Sequence, residues 1–144
     1  MEFKTRATKK DDIERKWYIV DLKGKVLGRA AAEVAKVLMG KNKMVISQNA
    51  DLGDNVIAIN AKEIIVTGDK LDQKKYYSHS GYPGALKEMN LETAMERKPE
   101  WVFSQAVSGM LPKNKLRGPR IARLYVSADE KHDKIAQKPE ELKV

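Results

Sequence analysis

The alternation of strand-like and helix-like stretches limits the architecture of this chain more than any other feature. Trp17-Tyr-Ile-Val-Asp-Leu22 is short, aromatic and β-branched, the character of a buried strand. Gly24 and Gly28 bracket a loop. Arg29-Ala-Ala-Ala-Glu-Val-Ala-Lys-Val-Leu-Met39 then places Ala30, Val34, Val37 and Leu38 at helical spacing, with Gly40 suited to stop the helix. Val56-Ile-Ala-Ile-Asn60 reads as a second strand and Glu63-Ile-Ile-Val-Thr67 as a third, closed by Gly68-Asp69. Lys74-Lys-Tyr-Tyr-Ser-His79 suits a further short strand. Leu91 to Lys98 suits a helix with Asn90 as N-cap, and Pro99 opens another helix through Val107. Leu124-Tyr-Val-Ser127 reads as a late strand. Strands alternating with helices predict an α/β fold with a mainly parallel sheet.

The length of 144 residues suits one domain, here 17–128. Residues 1–16 are polar and basic and read as an arm that is mobile or ordered by a partner. Residues 129–144 read as a mixed-charge surface tail with little regular structure. The absence of cysteine excludes disulfides, thiolate metal sites and cysteine nucleophiles together. No apolar stretch approaches the ~20 residues of a membrane span, and Met1-Glu-Phe-Lys-Thr-Arg6 is no secretory signal. A soluble cytoplasmic protein is the default expectation.

Charge points to the partner. The formal net charge is +8, and between Glu100 and Asp129 there is no acidic residue. The first part of that window, with Trp101, Val102, Phe103, Ala106 and Val107, is apolar and reads as a scaffold helix. Its later part holds Lys113, Lys115, Arg117, Arg120 and Arg123, framed by Gly109, Pro112, Gly118 and Pro119. A patch of one sign attracts a polyanion, and the Gly and Pro frame gives it a shape. Pro112 forces a turn after Leu111 and leaves Lys113 and Lys115 in an irregular, exposed stretch. If the chain is helical again from about Leu116, Arg120 and Arg123 share a face. Arg grips phosphate with a two-pronged fork, while Lys supplies a mobile point charge. The bland alternative is a solvated basic face. Aromatic content is only 6%, which favours phosphate and folded RNA shape over base stacking along a single strand.

Other motifs divide between function and scaffold. Lys41 and Lys43 follow a helix C-terminus, where the dipole alone suffices to explain cations. Arg29 stands at the end of that helix where the dipole disfavours a cation. It is either a phosphate ligand beside Gly28 or a plain surface arginine. Gly81-Tyr-Pro-Gly84 formally matches the GXXG of an RNA-binding module, but Pro83 removes a backbone donor, so the match is weak and a tight turn is expected either way. His79 and Tyr82, with Lys70, Lys74 and Lys75 nearby, could present that loop to RNA. Asp51-Leu-Gly-Asp54 reads as an Asx turn in preference to a metal or acid-base site. His79 and His132 lack any metal-ligand context, and no cofactor or nucleotide motif occurs.

The sequence resembles the bacterial form of the ribosomal large-subunit protein thirteen family, from about Trp17 to the tail. The likeness is carried by Trp17-Tyr-Ile-Val-Asp21, Gly24-Lys-Val-Leu-Gly-Arg29, Gly53-Asp54, Asn60-Ala-Lys62, Val66-Thr-Gly68 and Lys70-Leu71. Most specific are Tyr76-Tyr-Ser-His-Ser-Gly-Tyr-Pro-Gly84, Leu86-Lys87 and Gly109-Met-Leu-Pro-Lys-Asn-Lys-Leu116. The resemblance implies a three-layer α/β/α domain around a small, mainly parallel sheet. It implies a structural, non-catalytic protein that binds large-subunit ribosomal RNA beside other ribosomal proteins, supports early subunit assembly and needs no cofactor. On matching positions its RNA contacts would include Arg29, Lys41, Lys43, Lys70, His79, Tyr82, Lys113, Asn114 and Lys115. Arg117, Arg120 and Arg123 complete the set expected from the basic window. Four places depart from the family pattern: Gln48-Asn-Ala-Asp51, Ala85, Arg117-Gly-Pro-Arg120 and Asp129-Glu-Lys-His132. A regulatory binder of an mRNA leader, and less so a nucleotide-acting enzyme, are the rival readings.

Overall fold

One parallel pairing sets the layout of the chain. The computed structural model describes residues 13–44 and 49–142. Strand β1 (Trp17–Asp21) pairs in parallel with β2 (Asn55–Ile59), Tyr18 opposite Val56 and Val20 opposite Ala58. Helix α1 (Leu27–Met39) makes the crossover between them. Strand β5 (Leu124–Val126) extends the sheet beyond β2, and β6 (Glu140–Glu141) extends it beyond β1, giving the order β5-β2-β1-β6. Between β2 and β5 the chain forms α2 (Lys70–Gln73), the antiparallel hairpin β3 (Lys75–His79) and β4 (Leu86–Asn90), then α3 (Leu91–Arg97), α4 (Pro99–Met110) and α5 (Arg117–Ile121).

Strand alternation decides which side chains enter the core. Val20, Val56 and Ala58 are fully buried and cluster with Ala30, Val34 and Leu38 of α1 and Val102, Phe103 and Val107 of α4. The opposite sheet face carries Trp17, Ile57 and Tyr125, with Trp17 stacked on Tyr125 at 5.5 Å and Lys134 over the Tyr125 ring. The expected α/β class, with a mainly parallel sheet and helices packing on it, is what the chain adopts.

Helix α1 ends as its sequence dictates. Gly40 is left-handed at φ 79°, its N–H reaches the Val37 carbonyl, and the Lys41 N–H reaches Lys36. This is a Schellman cap, which satisfies carbonyls that would otherwise be orphaned. Pro99 opens α4 at its first position, where a missing N–H costs nothing. Asn90 precedes α3, but its side chain makes no capping hydrogen bond.

Some expectations change. Glu63–Thr67 is not a third strand of the sheet. Asn60 takes a left-handed turn at φ 59°, Ala61–Glu63 forms a 3₁₀ turn, and only Ile65 bridges, to Val26. The turn lifts the segment out of the sheet despite its β-branched composition, because local turn chemistry outweighs strand propensity. The late strand β5 takes the place beside β2 instead. Strand β4 and helix α2 have no counterpart in the sequence reading. The tail is not wholly irregular, since β6 lies in it and the Leu142 N–H bonds the Ile19 carbonyl. Of the N-terminal arm, residues 1–12 lie outside the described residues.

Candidate nucleic-acid interface

Helix α4 ends at Met110, and Leu111 turns extended and buries its side chain. Pro112 then starts a tight knot of backbone bonds. The Asn114 N–H reaches the Pro112 carbonyl at 2.9 Å, and the Arg117 N–H reaches the Asn114 carbonyl at 3.1 Å. The Asn114 side-chain oxygen accepts from the Leu116 N–H at 3.2 Å. The turn is thus self-satisfied. Asn114 is committed to holding it, while Lys113 and Lys115 stand exposed on either side, with no ion pair among the described residues.

The arginines of the same window behave differently. Arg117 is half-buried and donates to the Ser108 hydroxyl at 2.6 Å. Pro119 sits in the first turn of α5, where its lack of an N–H is tolerated. Arg120 and Arg123 are only 6% and 8% exposed. Arg123 donates to the carbonyls of Gly53 at 2.9 Å and Leu38 at 3.1 Å, and to Asp51 Oδ1 at 2.7 Å. Arg120 Nε lies 3.5 Å from the same carboxylate. The two do share a direction, but it points into the protein. Arg120 and Arg123, expected on RNA, are therefore corrected to interior anchors. A guanidinium offers several fixed donors, which suits it to close a gap between carbonyls and a carboxylate.

Lys43 is also engaged within the protein, although its side chain stays partly exposed. Its ammonium lies 2.7 Å from Asp54 Oδ1 and 2.6 Å from the Glu14 carbonyl. Asp54 is fully buried and also accepts from the Lys16 N–H at 3.0 Å. Asp51–Asp54 does not form the expected Asx turn: its carboxylates instead take partners from other segments, Asp51 from Arg123 and Asp54 from Lys43 and the Lys16 N–H. Gly53 is required there, because a Cβ would collide with the Leu38 carbonyl and approach Arg123 Nη2 to 2.9 Å.

The remaining expected residues are exposed but not gathered into one patch. Arg29 lies in the first turn of α1 and Lys41 beyond its end, roughly 18 Å apart at the helical rise per residue. Lys70 lines a cleft of about 470 Å³ with Gly28, next to Arg29, and with Gly109 and Met110, from which the basic turn departs. Lys70 and the root of the Lys113–Lys115 turn therefore share one side of the molecule. His79 and Tyr82 lie at the hairpin tip. His79 Nδ1 accepts from the Gly81 N–H at 2.9 Å, and Gly81 and Gly84 are left-handed at φ 91° and 75°. The turn expected for Gly81–Gly84 is present, and it holds Tyr82 75% exposed.

A match to the family model described as Ribosomal protein L13 spans residues 15–133. The chain belongs to the ribosomal protein L13 family. Among its relatives are proteins named large ribosomal subunit protein uL13. That of Lachnospira eligens is 54% identical over 97% of this chain and 99% of its own length. That of Clostridioides difficile is 51% identical over 96% and 97%. That of Syntrophotalea carbinolica is 48% identical over 97% and 99%.

Within this L13 chain, two further cations fall outside the expected set. Lys87 and Arg97 are exposed and make no hydrogen bond or ion pair among the described residues. Neither lies in a basic run, so charge density along the chain gives no signal. Trp101, scaffold by its apolar neighbours in sequence, is only half-buried and stands edge-to-face with Tyr76.

Proposed function

We propose that this chain is a structural constituent of the large ribosomal subunit, which binds its RNA, lies beside other proteins of that subunit and joins early in assembly. The reading rests on one observation above the others. In a chain of the L13 family, Lys113 and Lys115 project unpaired, among the described residues, from a turn that satisfies its own backbone. Ammonium groups held that way keep their hydration until a phosphate replaces it, and each phosphate bound releases a counterion from the RNA. Arg29 and Lys70 add exposed cations, and the His79–Gly84 tip supplies a shape that folded RNA can meet. The role asks for position and charge, not for a reacting group.

Sedimentation of the tagged full chain through a sucrose gradient tests the reading. Co-migration with free large subunits and whole ribosomes is the expected result. Recovery only at the top of the gradient, with ribosomes intact, would overturn it.

A further inference from the structure

Between the inner face of the β3–β4 hairpin and helices α3 and α4 lies a second cleft, of about 540 Å³. Its wall is aromatic: Tyr76 and Trp101 meet edge-to-face with centroids 4.9 Å apart, and Met89 lies beside them. Lys87 and Arg97 line it as exposed cations with no partner among the described residues. The one carboxylate of the lining, Glu88, is already paired with Lys75 at 3.0 Å. The Tyr76 hydroxyl is buried and has no hydrogen-bond partner among the described residues. Buried polar groups are nearly always bonded, and an orphan is costly. A phenol is protonated at neutral pH, and burial, which holds this one above its ordinary pKa, reinforces it as a donor.

We propose that this cleft takes one unstacked nucleotide of RNA, its base against Trp101 and Tyr76 and its phosphate between Arg97 and Lys87. The proposal rests on the RNA-binding reading above and adds a site to it. Each part of the cleft matches one part of a nucleotide. An aromatic wall stacks any base, a buried hydroxyl finds an acceptor on a base edge, and free cations at the wall meet the phosphate. The volume falls within the range of small-ligand clefts. A purely apolar occupant would leave both cations and the hydroxyl unanswered. An aromatic site for single bases also reconciles the low aromatic content with RNA binding, since one nucleotide needs only one such wall.

The test uses the full chain carrying Trp17→Phe, so that Trp101 alone reports tryptophan fluorescence. Single-stranded uridine and adenosine hexamers are titrated in, with duplex RNA of the same length as comparison. Single strands are expected to quench Trp101 and duplex is not. Tyr76→Phe should weaken the single-strand affinity about fivefold, the worth of a typical hydrogen bond, without lowering thermal stability. Arg97→Gln should weaken it and flatten its salt dependence. No quenching by single strands, equal quenching by duplex, quenching indifferent to both variants, or quenching by an acidic peptide alone would each overturn the proposal. If the chain still co-sediments with large subunits, that failure belongs to the cleft and not to the ribosomal reading.

Discussion

Arg123 donates from Nη2 to Asp51 Oδ1 at 2.7 Å, joining residues 72 positions apart, with both side chains largely buried. The same guanidinium ties the end of α1 to the Asp51–Asp54 loop through the Leu38 and Gly53 carbonyls. Removing one partner of such a pair leaves a buried charge uncompensated, which costs about 3–5 kcal/mol. Arg123→Met is therefore expected to lower unfolding free energy by about that amount, and Arg123→Lys should recover little because it lacks the fork. Urea denaturation measures both. A loss below about 1 kcal/mol would contradict the anchor.

Asp54 is buried with its carboxylate shared by the Lys43 ammonium and the Lys16 amide. Asp54→Ala is expected to destabilise by about 3 kcal/mol or more, since it removes the buried acceptor shared by the Lys43 ammonium and the Lys16 N–H. Lys43→Met in the same background should restore part of the loss. A double-mutant cycle with no coupling between the two positions would refute the pairing.

Two glycines should respond with opposite signs. At Gly53 a Cβ has no room against the Leu38 carbonyl, so Gly53→Ala must shift backbone and should cost at least about 2 kcal/mol. At Gly109, within α4, a Cβ meets nothing within 4 Å. Gly109→Ala should stabilise by about 0.5–1 kcal/mol, because alanine is the better helix former. Thermal melts of the two variants decide, and equal shifts would show that the close approach at Gly53 does not constrain the fold.

The Asp21 carboxylate is held below its ordinary pKa, first by the hydrogen bond from Asn60 Nδ2 at 2.8 Å and then by the Lys23 N–H at 2.9 Å. A depressed folded-state pKa means the contribution is fully present above about pH 4 and is lost as pH falls through the lower, folded value. Asn60→Ala should move the Asp21 pKa upward, as read by NMR titration of the carboxyl carbon. An unmoved titration would place the cause elsewhere. Because Asp21 is exposed, the stability change should be small.

The two classes of cation in the acid-free window should separate in RNA-binding assays. Lys113→Glu with Lys115→Glu is expected to weaken binding to large-subunit ribosomal RNA, with little change in melting temperature. The salt slope should flatten by about 0.7–0.9 for each phosphate no longer neutralised. Arg120→Met should instead lower the melting temperature while leaving the salt slope nearly intact. Filter binding over a salt series distinguishes them. Equal slopes for the lysine variant and the unaltered chain would remove the turn from the interface.

The elements legible in the sequence are those whose cause is local. The α1 apolar spacing and Gly40 stop, Pro99 at the head of α4, and the Gly81–Gly84 turn each need only residues within a few positions, and each is present. The expected third strand does not form because Asn60 and the 3₁₀ turn that follows redirect Glu63–Thr67, and a β-branched run carries no information about that redirection. Strand β4 is illegible because Leu-Lys-Glu-Met-Asn has little strand character of its own and is held by its register with Tyr76–His79.

The sequence alone determined the α/β class, the family likeness and the existence of a cationic, acid-free stretch, because composition and periodicity are properties of contiguous residues. Which of those cations reach outward was decided only in three dimensions. Lys113, Lys115, Arg120 and Arg123 are alike in sign and share one acid-free stretch, yet Asp51, far away along the chain, draws the two arginines inward. A charge can be read from its own position, but its burial depends on what the fold brings against it, and that is a property of pairs distant in sequence.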